Sequence, residues 1–173
     1  MSIVFETVIL RFRDLVTAEG ETIDKHMAVI KNHDYVWWGW WKKGNEKTPV
    51  DEFAKLKVAA NTHPVDIYLV DSGQSLVYRA VCTDIRFKTD EKIPSPDKNK
   101  TPEYYQKQDY WVWFQLTKIE CCEPTCLSDF SYVDCRELFC DPNVDYSRFD
   151  NKKIYSVPEL IQQERTVWFI KKA

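Results

Sequence analysis

Residues 34–49 read DYVWWGWWKKGNEKTP, and Trp37, Trp38, Trp40 and Trp41 put four of the chain's seven tryptophans into five positions around Gly39. A run this rich in aromatic side chains favours extended backbone, in which successive side chains point to opposite faces. Trp38 and Trp40 therefore share one face, and Trp37, Gly39 and Trp41 the other. Side chains two apart on one face stand about 6.6–6.8 Å apart, close to twice a ring-stacking distance. Trp38 and Trp40 could thus sandwich one planar ring, while Gly39 leaves a notch walled by Trp37 and Trp41. One face must cover a core, and the other is then a platform for a flat guest. The bland alternative is a heavy core under helices, with Gly39 present so that another element can approach closely. Indole is a demanding filler for such a core, because its N–H wants a partner when buried.

The flanking segments alternate between strand and helix signatures. In TVILRFRDL, Val8, Leu10 and Phe12 point one way while Arg11 and Arg13 share the other face. GETIDKHMAVIKNHD reads as a helix with Thr22 as N-cap and an apolar stripe of Ile23, Met27 and Ile30. TPVDEFAKLKVAAN announces a second helix, with Thr48 as cap, Pro49 at its first position and Asp51 completing a capping box. Its apolar face is Val50, Phe53, Ala54 and Leu56 or Val58. VDIYLVD and SLVYRAVCTDIRF are strands joined across Ser72, Gly73 and Gln74. A polar, proline-rich loop of about twenty residues follows, long enough to be functional. It leads into the strand YWVWFQLTKIE, where Trp111 and Trp113 share a face with Gln115 rather than with the apolar row. The cysteine-bearing stretch to Asn151 reads as irregular. Ser156 then caps a short helix, with Glu159 three residues on, before a last strand, TVWFIKK. The pattern is that of an α+β chain.

At 173 residues, 44% of them hydrophobic, the chain is long enough to bury a core as one domain. A formal net charge of −3 argues against holding a long duplex mainly by phosphate neutralisation, so any contact with nucleic acid should be local. The apolar run of MSIVFETVILRFRD is interrupted by charges and reads neither as a signal peptide nor as a membrane span. A cytoplasmic protein with no membrane partner is expected. The end at WFIKKA leaves room for a longer protein with an effector domain beyond Ala173. Without a secretory signal, the six cysteines are not expected to form disulfides. Cys122, Cys126, Cys135 and Cys140 have the three- and four-residue gaps of structural zinc ligands. The glycines and two-residue gaps of zinc ribbons are missing, so reduced structural thiols are the favoured reading and no cofactor is expected.

No catalytic motif is present. His26, His33 and His63 lack metal-ligand spacing, and no glycine-rich phosphate loop occurs. Asp14, Asp66, Asp71 and Asp84 sit in or at the ends of strands with nothing that pairs them. Binding is the better reading. Arg11, Arg13, Lys42, Lys43, Arg79 and Arg86 lie in or just after strands next to the aromatic runs. Each alone is most simply a solvated charge, but aromatics beside strand-borne arginines suit a nucleotide better than an apolar ligand. Stacking on an aromatic ring is worth roughly 1–3 kcal/mol per base and tolerates every base. The candidate ligand-binding set is Trp37, Trp38, Trp40, Trp41, Trp111, Trp113, Arg11, Arg13, Lys42 and Tyr78. Two other readings stand beside it: a protein-interaction domain that docks a partner on an aromatic face, and an enzyme acting on a nucleotide or RNA through Arg11, Arg13 and an Asp or His not singled out.

The order strand, helix, WWGWW strand, helix, hairpin of long strands, proline-containing loop and long aromatic strand resembles the PUA-like superfamily, in particular its EVE and ASCH branches. YRAVCTDIRF is similar to a hairpin strand of those folds, and PSPDKNKTPEYYQKQDYWVWFQLTKI to their proline-containing loop and the strand after it. The resemblance covers residues 5–120. It implies a small, strongly bent mixed or antiparallel β-barrel with two to three helices packed on it. Residues 121–173 would then be a cysteine-containing C-terminal extension with a short helix and the last strand. The resemblance also implies a sensor module that recognises a modified or flipped nucleobase or a small nucleotide by aromatic stacking. Such modules are attached to or associated with effectors in prokaryotic defence and signalling proteins. Trp38, Trp40 and one of Trp111 and Trp113 would be the stacking walls. EVE domains usually carry a tryptophan early in the first strand, where this chain has VILRFRDL.

Overall fold

The computed structural model describes residues 4–14, 18–44, 46–133, 149, 151–163 and 165–173. Along the chain run β1 (Thr7–Phe12), α1 (Glu21–His33), β2 (Val36–Trp40), α2 (Val50–Thr62), β3 (Val65–Asp71), β4 (Leu76–Phe87), α3 (Glu103–Gln106), β5 (Val112–Cys122), β6 (Phe130–Tyr132), α4 (Val157–Ile161) and β7 (Val167–Lys172). Two short 3₁₀ helices, Lys98–Lys100 and Pro124–Asp129, lie in the connections before α3 and β6. The stretch before residue 151, irregular by its sequence, therefore contains a 3₁₀ helix and a strand.

All seven strands belong to one mixed sheet in the order β2-β5-β4-β3-β1-β7-β6. Only β1 and β3 run parallel; the other neighbours are antiparallel. The ladder ends at β2 on one side and β6 on the other, so among the described residues the expected barrel is not closed by main-chain hydrogen bonds. Side chains bridge part of the gap. The Trp40 indole donates to the Thr166 carbonyl (3.4 Å), and the buried Glu46 carboxylate accepts from the Thr166 amide (2.9 Å) and hydroxyl (2.8 Å).

Period-two alternation gives the sheet two apolar faces, and both are covered. On one face Val8, Leu10, Trp38, Trp40, Leu69, Phe114 and Phe169 form the larger core with Ile23 of α1 and Phe53 and Leu56 of α2. On the other, Ile9, Tyr68, Val70, Val77, Trp168 and Ile170 pack under Leu127, Ile154, Val157 and Leu160 of the C-terminal segment. That segment is thus built into the same sheet and core as the strands before it.

The helices form where the sequence places them but turn differently. In α1 the buried side chains are Thr22, Ile23 and His26, while Met27 is 42% exposed. The imidazole takes the core position expected of Met27. Thr22 is not the cap: Gly20 is, with φ 83°, and the Asp14 carboxylate reaches across to accept from the amides of Gly20 (3.0 Å) and Thr22 (3.1 Å). In α2 the buried row is Phe53, Leu56 and Ala60, with Ala54 exposed, and Pro49 rather than Thr48 holds the cap position. The hairpin between β3 and β4 turns through residues 72–75 on Asp71, whose Oδ1 accepts from the amides of Gly73 and Gln74. Ser156 caps α4 as its sequence indicates, accepting from the Glu159 amide at 3.2 Å.

Candidate functional site

The tryptophans of the WWGWW run do not form an open platform. Trp38 and Trp40 are 3% and 1% exposed and point into the larger core, where Phe53 meets the Trp40 ring edge-to-face at 5.5 Å. The space pictured between them is filled by the protein's own side chains. On the other face Trp37 is 2% exposed and Trp113 fully buried. The notch at Gly39 is occupied too, because the Tyr110 ring lies directly over it, where a Cβ would collide with the ring. Tyr110 is held there by paired backbone hydrogen bonds with Ile93 (2.8 and 2.9 Å), and Ile93 also accepts from the Trp113 indole (2.8 Å). The proline-rich loop thus covers the face opposite the core. Strand β2 is buried on both sides because it is paired to β5 and sandwiched between core and loop. The Trp37 N–H is buried without a hydrogen-bond partner among the described residues.

What remains on the surface is smaller. Trp41 is 54% exposed, and the half-buried Trp111 carries the Lys42 ammonium 4.2 Å from its ring centroid, with Lys92 at 5.7 Å. Lys42 also donates to the Glu46 carbonyl (2.9 Å). Arg11 is turned away from the aromatic rings, donating to the carbonyls of Ile161 (3.1 Å) and Gln163 (3.2 Å) beside the second core. Its face of β1 is opposite to Phe12, so it cannot serve a ligand held by Trp38. Arg13 is exposed near the Gly73 turn.

The structure instead brings aromatic side chains together where β1 gives way to α1. Phe12 ends β1, and its ring stands edge-on to Trp38 of β2 (5.2 Å between centroids) and 6.3 Å from Tyr78 of β4. His26 of α1 lies 4.4 Å from the Trp38 ring at an interplanar angle of 41°. Tyr105 of α3, carried by the proline-rich loop, closes over His26 at 4.9 Å. Five elements supply one side chain each to this corner. Phe12 and Tyr105 are partly buried at its rim, while Trp38, Tyr78 and His26 form its floor.

The imidazole in that floor has a defined chemistry. Nδ1 of His26 lies 2.6 Å from the Thr22 carbonyl oxygen, which can only accept, so Nδ1 carries the proton and Nε2 is left as a bare acceptor. Nε2 is buried without a hydrogen-bond partner among the described residues. Burial pushes the pKa of His26 down to about 4, against the raising effect of the Thr22 bond, so the ring is neutral at physiological pH. Burial likewise pushes the Tyr105 hydroxyl up to about 12, with its hydrogen bond to the Thr22 side chain acting the other way. Tyr78 is raised by burial and then by Cys121, Asp71, Asp24 and Asp14. The corner is therefore lined by uncharged rings.

The sequence singles out Trp38 and Tyr78 but not Phe12, His26 or Tyr105 as members of one site. The available signal is a polar ring spaced three residues after Ile23 on the apolar stripe of α1. Elsewhere, a groove of about 270 Å³ beside the second core is lined by Pro124, Leu127, Ile154, Tyr155, Val157 and Pro158 and bears no charged side chain. Cys122 and Cys126 bring their sulfurs within 3.0 Å. Cys135 and Cys140, the other half of the four-thiolate zinc expectation, lie outside the described residues. Among the described residues no group of three or more His, Cys, Asp or Glu side chains is placed to hold a metal, and no helix is long and apolar enough to cross a membrane.

A family model described as Pua-like matches residues 8–173. No curated protein and no solved structure matches the chain.

Proposed function

Because this chain belongs to the Pua-like family, we propose that it is a non-enzymatic binding module which takes a flat heterocycle, a modified or flipped nucleobase or a small nucleotide, at the corner of Phe12, His26, Trp38, Tyr78 and Tyr105. The observation that carries this reading is a buried imidazole packed against the rings of Trp38 and Tyr105, with Phe12 and Tyr78 beyond Trp38, whose Nε2 has no partner among the described residues. A core made only for stability would place an apolar side chain there, since an unpaired buried polar atom costs about 1–3 kcal/mol. Stacking supplies affinity for any base, and a flipped or single-stranded base has the least unstacking to overcome. Entry requires the rim residues Phe12 and Tyr105 to move aside. In a prokaryotic defence or signalling setting, occupancy would be passed to an attached or associated effector.

The test is a titration of the chain with modified and unmodified nucleosides and nucleotides, read by tryptophan fluorescence and by calorimetry. Phe12→Leu keeps an apolar rim side chain while removing its ring, and should weaken binding about tenfold, in keeping with the loss of one stacking contact. Trp41→Ala should leave binding unchanged. If no member of the panel binds, or if Trp41→Ala alone abolishes binding, the corner is not the site.

A second reading rests on the exposed face itself. Trp41, 54% exposed beside the Lys42–Trp111 pair, has the composition of an interface anchor. A partner protein docked there would be lost with Trp41→Ala and retained with Phe12→Leu, the reverse of the first pattern.

A further inference from the structure

We infer that the heterocycle held at this corner turns an N–H edge toward Nε2 of His26, so that His26 selects ligands with a hydrogen-bond donor in the plane of the ring. The inference rests on the reading of the corner given above and adds the identity of the edge that is recognised. Nδ1 is committed to the Thr22 carbonyl of its own helix, which leaves Nε2 as the ring's remaining polar atom, on an imidazole packed against the rings of Trp38 and Tyr105. Two neighbouring polar groups of the same helix turn bond to other partners. The Thr22 side chain is bonded to the Tyr105 hydroxyl, and the Thr22 amide is held by Asp14. What remains is a buried acceptor inside an aromatic wall, with no donor supplied by the described residues.

This arrangement discriminates by what it leaves unpaired. A ligand without a donor would stack equally well but would bury Nε2 against a carbon or a second lone pair. A site built to receive a hydrogen bond rejects an analogue lacking it far more strongly than a purely apolar pocket rejects a change of one methyl. Amino groups of adenine and cytosine and the ring N–H of uracil-type bases all qualify. An imidazole that stays neutral keeps this acceptor available across the physiological range.

The experiment compares ligands that share a ring system and differ at the donor nitrogen. Adenosine is set against N6,N6-dimethyladenosine, cytidine against N4,N4-dimethylcytidine, and uridine against 3-methyluridine, each titrated by fluorescence into the intact chain and into His26→Phe. In the parent, methylation at the donor nitrogen should weaken binding of at least one pair about 10- to 100-fold, the range expected for an acceptor left buried and unpaired. In His26→Phe the two members of that pair should bind alike. Equal affinity within each pair in the parent is decisive without any variant, so the inference stays falsifiable even if His26→Phe folds poorly. Equal affinity of both members of every pair in the parent overturns the inference while leaving the corner as a stacking site. Discrimination that persists undiminished in His26→Phe overturns it as well. Absence of binding by all six nucleosides would count against the proposed site itself.

Discussion

Gly39 separates two physical uses of a glycine in a strand of bulky aromatics. It could leave a notch for a guest or make room for another part of the chain, and Tyr110 fills the space. Gly39→Ala should therefore destabilise the fold by about 1–3 kcal/mol, the usual cost of forcing a methyl into packed surroundings. Gly44 has open space where a methyl would sit and no left-handed backbone, so it supplies the control. Gly44→Ala should change stability by no more than about 0.5 kcal/mol. Urea denaturation of the two variants decides it, and a Gly39→Ala protein as stable as the parent would mean that the Tyr110 loop is not seated on β2.

Helix α1 is held at its start by a residue outside it. The Asp14 carboxylate accepts from the amides of Gly20 and Thr22 and so satisfies donors that a helix's first turn cannot pair internally. Asp14→Ala should cost about 1–2 kcal/mol, with Asp14→Asn recovering part of it, and hydrogen exchange of the first-turn amides of α1 should accelerate in the same order. Unchanged exchange in Asp14→Ala would show that the turn is fixed by something else. The reach of Asp14 also marks where sequence reading stops. Ser156 is legible because its cap is local, three residues from the amide it serves. Thr22 is misleading because a competing acceptor arrives from across the β1–α1 connection, a contact with no sequence period. Helix and strand positions are legible for the same reason that Ser156 is, since alternation and capping act over a few residues. That neither face of β2 stays open is not legible, because that depends on where the loop bearing Ile93 and Tyr110 comes back to dock. The binding corner escapes the same way: Phe12, His26, Trp38, Tyr78 and Tyr105 come from five elements, and only His26 breaks its local pattern.

Across the whole molecule, the β2 side of the sheet is tied to Thr166, just before β7, by the side chains of Trp40 and Glu46 as well as by the shared core, and that gives a single residue such as Glu46 leverage on global stability. Glu46 is 2% exposed and accepts from the Lys43 amide (2.9 Å) and from the amide and hydroxyl of Thr166. Glu46→Ala leaves those donors buried and should cost about 2–4 kcal/mol in chemical denaturation, whereas a loss under about 0.5 kcal/mol would show that the connection is dispensable. His26 acts on the whole fold through protons. Its pKa of about 4 in the fold lies below the ordinary 6.5, so the folded state favours the neutral ring and the unfolded chain binds the extra proton between these values. Its contribution is then fully present above pH 6.5 and is lost as pH falls from about 6.5 to about 4, amounting to about 3 kcal/mol over that window. Asp84 adds a separate loss at lower pH. Burial pulls its carboxyl upward, but hydrogen bonds from Lys57 and Arg86 hold it below the ordinary carboxylate value. Both effects are present in the parent, and only the second remains in His26→Phe. In urea denaturation at half-unit steps from pH 7.5 to pH 4, the stability of the parent should therefore fall more steeply than that of His26→Phe as the solution is acidified. Parallel curves across that window would show that the His26 ring titrates alike in folded and unfolded chains, and hence that it is solvated rather than enclosed by Trp38 and Tyr105.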